Sequence, residues 1–304
     1  MTAKIVVVGS FNVDLTSYME RIPVPGETVM GDRFVTGPGG KGSNQAVAAA
    51  RLGADVTFIG RIGQDVFASI ALTIWQNENI NLDYLVQDPD HATGVAPIFV
   101  ENSGENSIVV VLGANLTLTT ADLDAAAERI AQADVLVTQL EIKDEIAAHA
   151  LKLARDHGVT TILNPAPARP LPPAMLTLAD YLTPNETELA TLAGRAVTDD
   201  VIEMARALLT SDQQTVITTL GSVGARYVQA GKTALVPTYP VDVVDTTGAG
   251  DAFNGGLAVA LAEGKSLDEA LAFANATAAL CVTKPGTAPS MPDRRTVDEL
   301  LQTQ

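Results

Sequence analysis

The chain carries a single cysteine, Cys281, in 304 residues. One thiol cannot close an intramolecular disulfide, and it cannot build a cysteine-based zinc site. Histidine is almost as scarce. His91, His149 and His157 show no ligand spacing, which argues against a histidine metal site or a Ser-His-Asp triad. Aromatic residues make up 4% of the chain, so the core must be built from Ala, Val, Leu and Ile. Basic residues are also few: 19 Lys+Arg face 36 Asp+Glu, a net charge of −17. A surface of that sign repels phosphate backbones, so general binding to nucleic acid or to an anionic membrane is not expected. An anionic ligand in a local pocket stays open, because backbone N–H groups and one lysine act at short range. No apolar run reaches the roughly 18 residues of a transmembrane helix. The N-terminal MTAKIVVVG is too short in its apolar part for a signal peptide and reads as a buried strand. A cytoplasmic protein is the expectation.

What the sequence does contain is an alternation of strand and helix. Apolar runs at Ile5–Gly9, Val56–Gly60, Asp134–Leu140, Val159–Leu163, Tyr181–Thr183 and Thr215–Leu220 read as strands. Helical stretches separate most of them: Asn44–Leu52, Val66–Glu78, Asp144–His157, Glu186–Ala193 and Asp199–Leu209. Strands joined through helices predict βαβ units and a mostly parallel sheet covered on both faces. Two segments break the rhythm. Phe11–Val35 is turn-rich, and Gly94–Val100 with Ser107–Leu112 forms a hairpin through Asn102-Ser103-Gly104-Glu105. Together they predict a small antiparallel sheet inserted in two pieces, and a lid is the natural hypothesis. The expected division is 1–10, 36–93 and 113–304 for the α/β domain, and 11–35 with 94–112 for the lid. Residues 223–244 should extend the main sheet at its edge. Two Ala-rich helices, about Ala249–Leu261 and Leu267–Thr283, precede a Pro/Gly loop and a short last helix.

Two glycine-rich stretches are candidates for chemistry. Gly37-Pro38-Gly39-Gly40-Lys41-Gly42-Ser43-Asn44 contains a formal G-x-G-x-x-G. A dinucleotide fold would need a buried strand before it and an acid after the next strand. Here a polar segment precedes it and Arg61 stands where the acid should be. A dehydrogenase is therefore the weakest option, and the lysine lacks the surroundings of a Walker A loop. A turn feeding a helix remains, with Lys41 and Asn44 suited to a polyhydroxyl ligand or simply sitting at a helix start. In Asp245-Thr246-Thr247-Gly248-Ala249-Gly250-Asp251-Ala252-Phe253-Asn254-Gly255-Gly256, small residues open a helix whose positive end can hold an anion. Asp251 in its first turn is either a cap or a general base. The four glycines favour ligand contact, since glycine costs about 0.5–1 kcal/mol at a helical position. Other polar residues follow strand ends: Asn12 and Asp14, Glu141, Asn185 and Glu188, and Thr219-Leu220-Gly221-Ser222. Ligands of open parallel sheets bind at the carboxyl ends of strands, so these residues could converge on one crevice. Asn185 and Glu188 also read as a helix cap. Cys281 reads as a small hydrophobe inside the penultimate helix.

The segments Gly39–Ala46 and Asp245–Asp251 resemble the two signatures of the phosphofructokinase-B-type carbohydrate kinases. The resemblance runs through Gly9–Asp14, Asn164–Pro167, Thr183–Glu188 and Thr219–Gly224, over nearly the whole chain, and is strongest to the ribose-phosphorylating members. It implies a three-layer αβα domain with a mostly parallel central sheet, a small β-sheet lid, and transfer of phosphate from ATP to the 5-hydroxyl of D-ribose. By the same resemblance Asp251 is the general base, and Gly248, Ala249 and Gly250 form the anion hole. Asn12, Asp14, Gly40, Lys41, Gly42, Ser43, Asn44, Glu141 and Asp251 would hold the sugar. Asn185, Thr219, Leu220, Gly221, Ser222, Val223, Gly224, Gly250, Asp251 and Asn275 would line the nucleotide side. Glu188 would serve Mg²⁺ through water. Asp245, Thr247, Cys281, Lys284, Gly286 and Ser290 would surround a monovalent cation, K⁺. A homodimer through the lid is implied as well. Two rivals stay open: a kinase of another sugar or a nucleoside, and a non-catalytic sugar- or nucleotide-binding regulator.

Overall fold

A computed structural model describes residues 2–303 of the chain; Met1 and Gln304 lie outside the described residues. Alternate residues of each buried strand face opposite sides, so a fully apolar strand feeds two cores at once. The first strand, β1 (Lys4–Val8), shows this directly. Its Ile5 and Val7 enter one hydrophobic cluster, and Val6 and Val8 enter the other.

The remaining strands are β2 (Asn12–Met19), β3 (Gly31–Gly39), β4 (Asp55–Gly63), β5 (Leu85–Asp88), β6 (Gly94–Glu101), β7 (Asn106–Ile108), β8 (Val135–Thr138), β9 (Thr160–Leu163), β10 (Tyr181–Leu182), β11 (Thr215–Thr219), β12 (Ala225–Gln229) and β13 (Lys232–Val236). The helices are α1 (Lys41–Arg51), α2 (Ala68–Asn77), α3 (Thr120–Ala125), α4 (Ala127–Ala131), α5 (Asp144–Asp156), α6 (Pro173–Leu176), α7 (Glu186–Ala193), α8 (Val201–Leu208), α9 (Ala249–Ala262), α10 (Leu267–Cys281) and α11 (Arg294–Leu301).

Nine strands form the main sheet in the order β13-β12-β11-β10-β9-β8-β1-β4-β5. All pairs are parallel except β11–β12 and β12–β13, which extend the edge as antiparallel neighbours. Helices α1, α2, α9 and α10 cover one face, and α3, α4, α5, α7 and α8 the other. This is the expected three-layer α/β arrangement.

The second sheet has the order β3-β2-β6-β7. The sequence predicts it as antiparallel; it is mixed. The β2–β3 and β6–β7 pairs are antiparallel, but β2 and β6 run parallel from Asn12↔Gly94 to Met19↔Glu101. The reason is topological. β2 leaves the carboxyl end of β1 and β6 leaves the carboxyl end of β5, so both start from the same rim and travel the same way. β3 also runs to Gly39, past residue 35, straight into the glycine turn.

Candidate active site

The carboxyl ends of the parallel strands meet two helix starts, and these differ in how their N–H groups are used. Helix α1 begins at Lys41 after Gly40, whose φ of +86° suits glycine, and a Cβ there would lie 2.6 Å from the Asn12 nitrogen. Its free N–H groups are consumed inside the protein. Lys41 N–H donates to Glu141 Oε2 (2.9 Å), and Ser43 N–H donates to the Ser10 carbonyl (2.8 Å). Glu141 Oε2 also accepts from the Ser10 hydroxyl and from Asn12 Nδ2 (3.2 Å). Trp75 steadies this turn from below, donating from Nε1 to Ser43 Oγ (3.0 Å) with its ring against Phe11 and Phe58.

Helix α9 is left open. Gly248 precedes it with φ +81°, and Ala249 N–H reaches back to the Thr246 carbonyl at 3.3 Å. The N–H groups of Gly250 and Asp251 have no hydrogen-bond partner among the described residues. A Cβ on Gly250 would meet nothing within 4 Å. An unpartnered helix N-terminus facing open space has the charge and the donors to take an anion.

Not all the glycines of that stretch serve a ligand. The sequence groups four of them; the structure separates them. A Cβ on Gly255 would sit 2.6 Å from Ala48 Cβ, and one on Gly256 2.8 Å from Thr277 Oγ1. These two exist for close packing of α9 on α1 and α10.

Asp251 occupies the junction. It is buried, and its carboxylate accepts from Asn44 Nδ2 (2.9 Å) and Gln45 Nε2 (3.0 Å). Burial pushes its pKa above the usual carboxylate range; Lys41 and the two amide donors oppose that, and Glu141 adds to it. On one side lies a cavity of about 450 Å³, with Asn12, Asp14, Lys41, Asn44, Glu141 and Asp251 on its polar floor. Ala96 and Ile98 of β6, Ile108 of β7, and Val110 and Leu112 of the segment after it form its apolar roof. On the other side a crevice of about 160 Å³ holds Asn185, Glu188, Thr219, Gly248 and Gly250, and again Lys41 and Asp251. Beyond it a groove of about 520 Å³ is lined by Gly221, Ser222, Tyr239, Ala249, Ala278 and Val282 among others. Burial works against the Lys41 ammonium, yet the carboxylates of Asp251, Glu141 and Glu188 outweigh it and raise its pKa.

Asn185 and Glu188 do both things expected of them. They form a reciprocal capping box on α7, with N–H to carboxylate and N–H to amide oxygen each at 2.8 Å, and they face the crevice. Burial raises the pKa of Glu188, against the opposing Asn185 N–H and Lys41. The proposed cation residues come from two segments, the loop before α9 and the end of α10 with the loop after it, joined where Gly286 meets Asp245. Asp245 accepts from Thr247 N–H and Gly286 N–H, both at 2.9 Å. Cys281 Sγ lies 3.0 Å from Ser290 Oγ, and Lys284 N–H reaches the Cys281 carbonyl at 3.3 Å. Burial raises the pKa of Asp245, but the two backbone donors prevail and leave it lowered. Cys281 is buried, as a small core residue should be.

Four residues expected on the nucleotide side do not line the three cavities. Val223 points outward, 52% exposed. Gly224 is pinned under β13, where a Cβ would lie 2.2 Å from the Val236 carbonyl. Asn275 spends its amide on the Val236 and Pro237 carbonyls (2.9 and 3.1 Å), anchoring the strand beside the groove. Leu220 bridges Thr219 and Gly221 without lining any of the three cavities.

Sequence reasoning missed Gln45, Asn115, Asn164 and Thr287. Asn115 ties the Phe11 backbone to Asn12 Oδ1 (3.0 Å) and to the Leu112 carbonyl (2.8 Å). Thr287 donates to Asp14 Oδ2 at 3.2 Å and to the Pro38 carbonyl at 2.8 Å. Gln45 carried a signal: a polar amide on the buried side of an alanine helix.

Asp14 yields a prediction on stability. Burial pushes its pKa to about 6, with Thr287 opposing and Glu141 and Asp251 adding. The folded protein therefore holds this proton more tightly than the unfolded chain. Stability is lost as pH rises from about 4 to about 6. Asp14→Asn should stabilise the unliganded protein above pH 6 by up to about 3 kcal/mol, and by little at pH 4. Thermal melts across that range check it; equal stability of the two proteins at pH 7 refutes it.

The pfkB family of carbohydrate kinases matches residues 2–294. The ribokinase of Bacillus subtilis is 43% identical over 297 residues, covering 98% of this chain and 99% of that protein. The deoxyribokinase of Salmonella typhi is 39% identical over 300 residues, covering 98% of each. The solved structure of Arabidopsis thaliana ribokinase complexed with ribose and ATP superposes with a TM-score of 0.92 at 36% identity, covering 99% of both chains. The chain belongs to the pfkB family of carbohydrate kinases, and it is a phosphotransferase that acts on a sugar.

Proposed function

We propose that the chain transfers the γ-phosphoryl group of ATP to the 5-hydroxyl of D-ribose, giving ribose 5-phosphate and ADP. One observation carries this reading: Asp251 is shared by a cavity of about 450 Å³ with a polar floor and by the crevice under an open helix N-terminus. A relative bound to ribose and ATP supports the choice of both substrates.

In this reading Asn12, Asp14, Lys41, Asn44 and Glu141 bind the sugar hydroxyls, while Gly40, Gly42 and Ser43 shape the turn that presents them. The buried Asn44 Oδ1, without a partner among the described residues, is an acceptor suited to such a hydroxyl. Asp251 accepts the proton of the attacking hydroxyl as it approaches the γ-phosphorus in line. The N–H groups at the start of α9, from Gly248 through Gly250, stabilise the charge on the transferring group. Thr219, Gly221 and Ser222 border the nucleotide. The second sheet, residues 11–35 and 94–112 with β3 continuing to Gly39, acts as a lid that keeps water from the acceptor position.

Two ions fit the residues present. Glu188 uses one carboxylate oxygen in its cap and has the other free beside the crevice, which suits a hydrated Mg²⁺ held mainly by phosphates. The carboxylate and carbonyl oxygens around Asp245, Thr247, Cys281, Lys284, Gly286 and Ser290 suit a hard monovalent cation such as K⁺. When bound, these ions supply positive charge for the phosphates and for the loop before α9. We place the enzyme in the cytoplasm, where ATP is at hand.

A homodimer through the lid belongs to the same proposal. Phe34, Ile108, Val109 and Val111 expose 50–60% of their surface on that sheet, an apolar patch that invites a second copy. Light scattering should give twice 31.6 kDa; a monomeric mass refutes it.

The deoxyribokinase relative supports a second reading, a kinase of 2-deoxyribose or another close sugar. An ADP-release assay over ribose, deoxyribose, other sugars and nucleosides, with K⁺ or Na⁺, separates them. Ribose as the best acceptor, with K⁺ activating, is expected. No turnover of ribose removes the first reading, and binding without ADP release from any acceptor removes catalysis altogether.

A further inference from the structure

We infer that Gln45 is a positioning residue for Asp251, the last link of a directed chain of buried amides that fixes the carboxylate where the acceptor hydroxyl must meet it. This deepens the proposed reaction and rests on the reading of Asp251 as its base.

Gln45 is 1% exposed on an alanine-rich helix, where an apolar residue would pack at no polar cost. Every polar atom of its side chain is engaged. Nε2 donates one hydrogen to Asp251 Oδ1 (3.0 Å) and the other to Asn164 Oδ1 (3.1 Å). Oε1 accepts from Gln139 Nε2 at 2.6 Å. A carboxylate only accepts, so its neighbour must present the NH₂ group. That choice leaves Oε1 to accept from Gln139, and the amide cannot flip without losing all three contacts.

The chain continues toward the anion site. Asn164 Nδ2 donates to the Thr183 carbonyl (3.1 Å), Thr183 Oγ1 donates to Asn254 Oδ1 (2.7 Å), and Asn254 Nδ2 donates to the Gly250 carbonyl (2.8 Å). Base and anion loop are thus held by one set of buried hydrogen bonds. At the far end Gln139 Oε1 has no partner among the described residues although it is fully buried. An unsatisfied buried acceptor is unfavourable. A residue selected for packing alone would not carry one; a residue kept for its single donation to Gln45 would.

The test uses the full-length enzyme with ribose and ATP. Gln45→Leu, Gln45→Glu and Gln139→Met are assayed for kcat, both KM values, the pH profile of kcat/KM, and Tm. Gln45→Leu should lower kcat about 10–100-fold with both KM values near wild type. Its acid limb should move to higher pH, because a donor favouring the ionised carboxylate is gone. Gln45→Glu should move that limb further, since a second carboxylate then faces Asp251. Gln139→Met, one bond removed, should shift it less and in the same direction, and it serves if Gln45→Leu fails to fold. Variants that change Tm alone, with kcat and the acid limb unmoved, overturn the inference. Asp251→Asn run alongside tells the two failures apart. Near-normal turnover there removes the base itself and this inference with it; a crippled Asp251→Asn beside unaffected Gln45 variants removes only the positioning role.

Discussion

Asp251→Asn is expected to bind sugar and nucleotide and to turn over about 10²–10⁴-fold more slowly, the range in which a general base contributes. The side chains are nearly the same size. Asparagine keeps one acceptor for Gln45, and Asn44 can rotate its unpartnered Oδ1 toward the new NH₂ group. The fold and the cavity should therefore persist. What disappears is the site that accepts the hydroxyl proton. Removing one of the carboxylates around Lys41 also makes the crevice less negative, so ATP affinity should hold or rise. Steady-state kinetics with calorimetric titration of both ligands checks the split. A kcat within a few-fold of wild type would sink the role of Asp251.

Gly250→Val should be almost as damaging, for an unrelated reason. A Cβ at this position touches nothing in the protein, so the melting temperature should stay near wild type. The branched side chain instead fills the space in front of the open helix start. Loss of access to these N–H groups should lower kcat/KM for ATP about 10²-fold or more, as losing an anion-hole donor does. Gly42→Val is the contrast. Its Cβ would lie 2.5 Å from the Ser10 nitrogen, so it should destabilise the fold itself. If Gly250→Val melts as low as Gly42→Val, the open helix start has been misread.

The same glycines mark where the sequence is legible and where it stops being so. Apolar β1, β8 and β11 and the capped helix α7 could be located because local pattern and burial agree there. Which glycine serves a ligand and which serves packing depends on the surface opposite it, and that surface lies far away in sequence. Gly255 meets Ala48, more than 200 residues earlier. The parallel pairing of β2 with β6 was hidden for a related reason: hairpin signals are local, whereas that pair is dictated by where two distant strands leave the main sheet. The cavity-floor residues Asn12, Asp14, Lys41, Asn44 and Glu141 were found because each follows a strand end or a glycine turn. Gln45 and Asn164 also follow such landmarks, the glycine turn and the end of β9, but their part in the site rests on a side-chain contact between them across 119 residues, which no local pattern shows. Val223 and Asn275 came from resemblance alone; the first side chain faces outward and the second anchors the strand beside the groove.

The hydrocarbon roof over Asp251 has a consequence for fidelity. Ala96, Ile98, Ile108, Val110 and Leu112 offer no hydrogen bond to anything between them and the carboxylate. A sugar is held by the polar floor, but a stray water at the acceptor position would be a nucleophile with the same base beside it. Choice between the two acceptors is then made by wetting rather than by recognition: a dry roof leaves water no foothold unless it gives up partners. The amount of ATP hydrolysed without sugar phosphate formed becomes a gauge of how closely five apolar side chains seat.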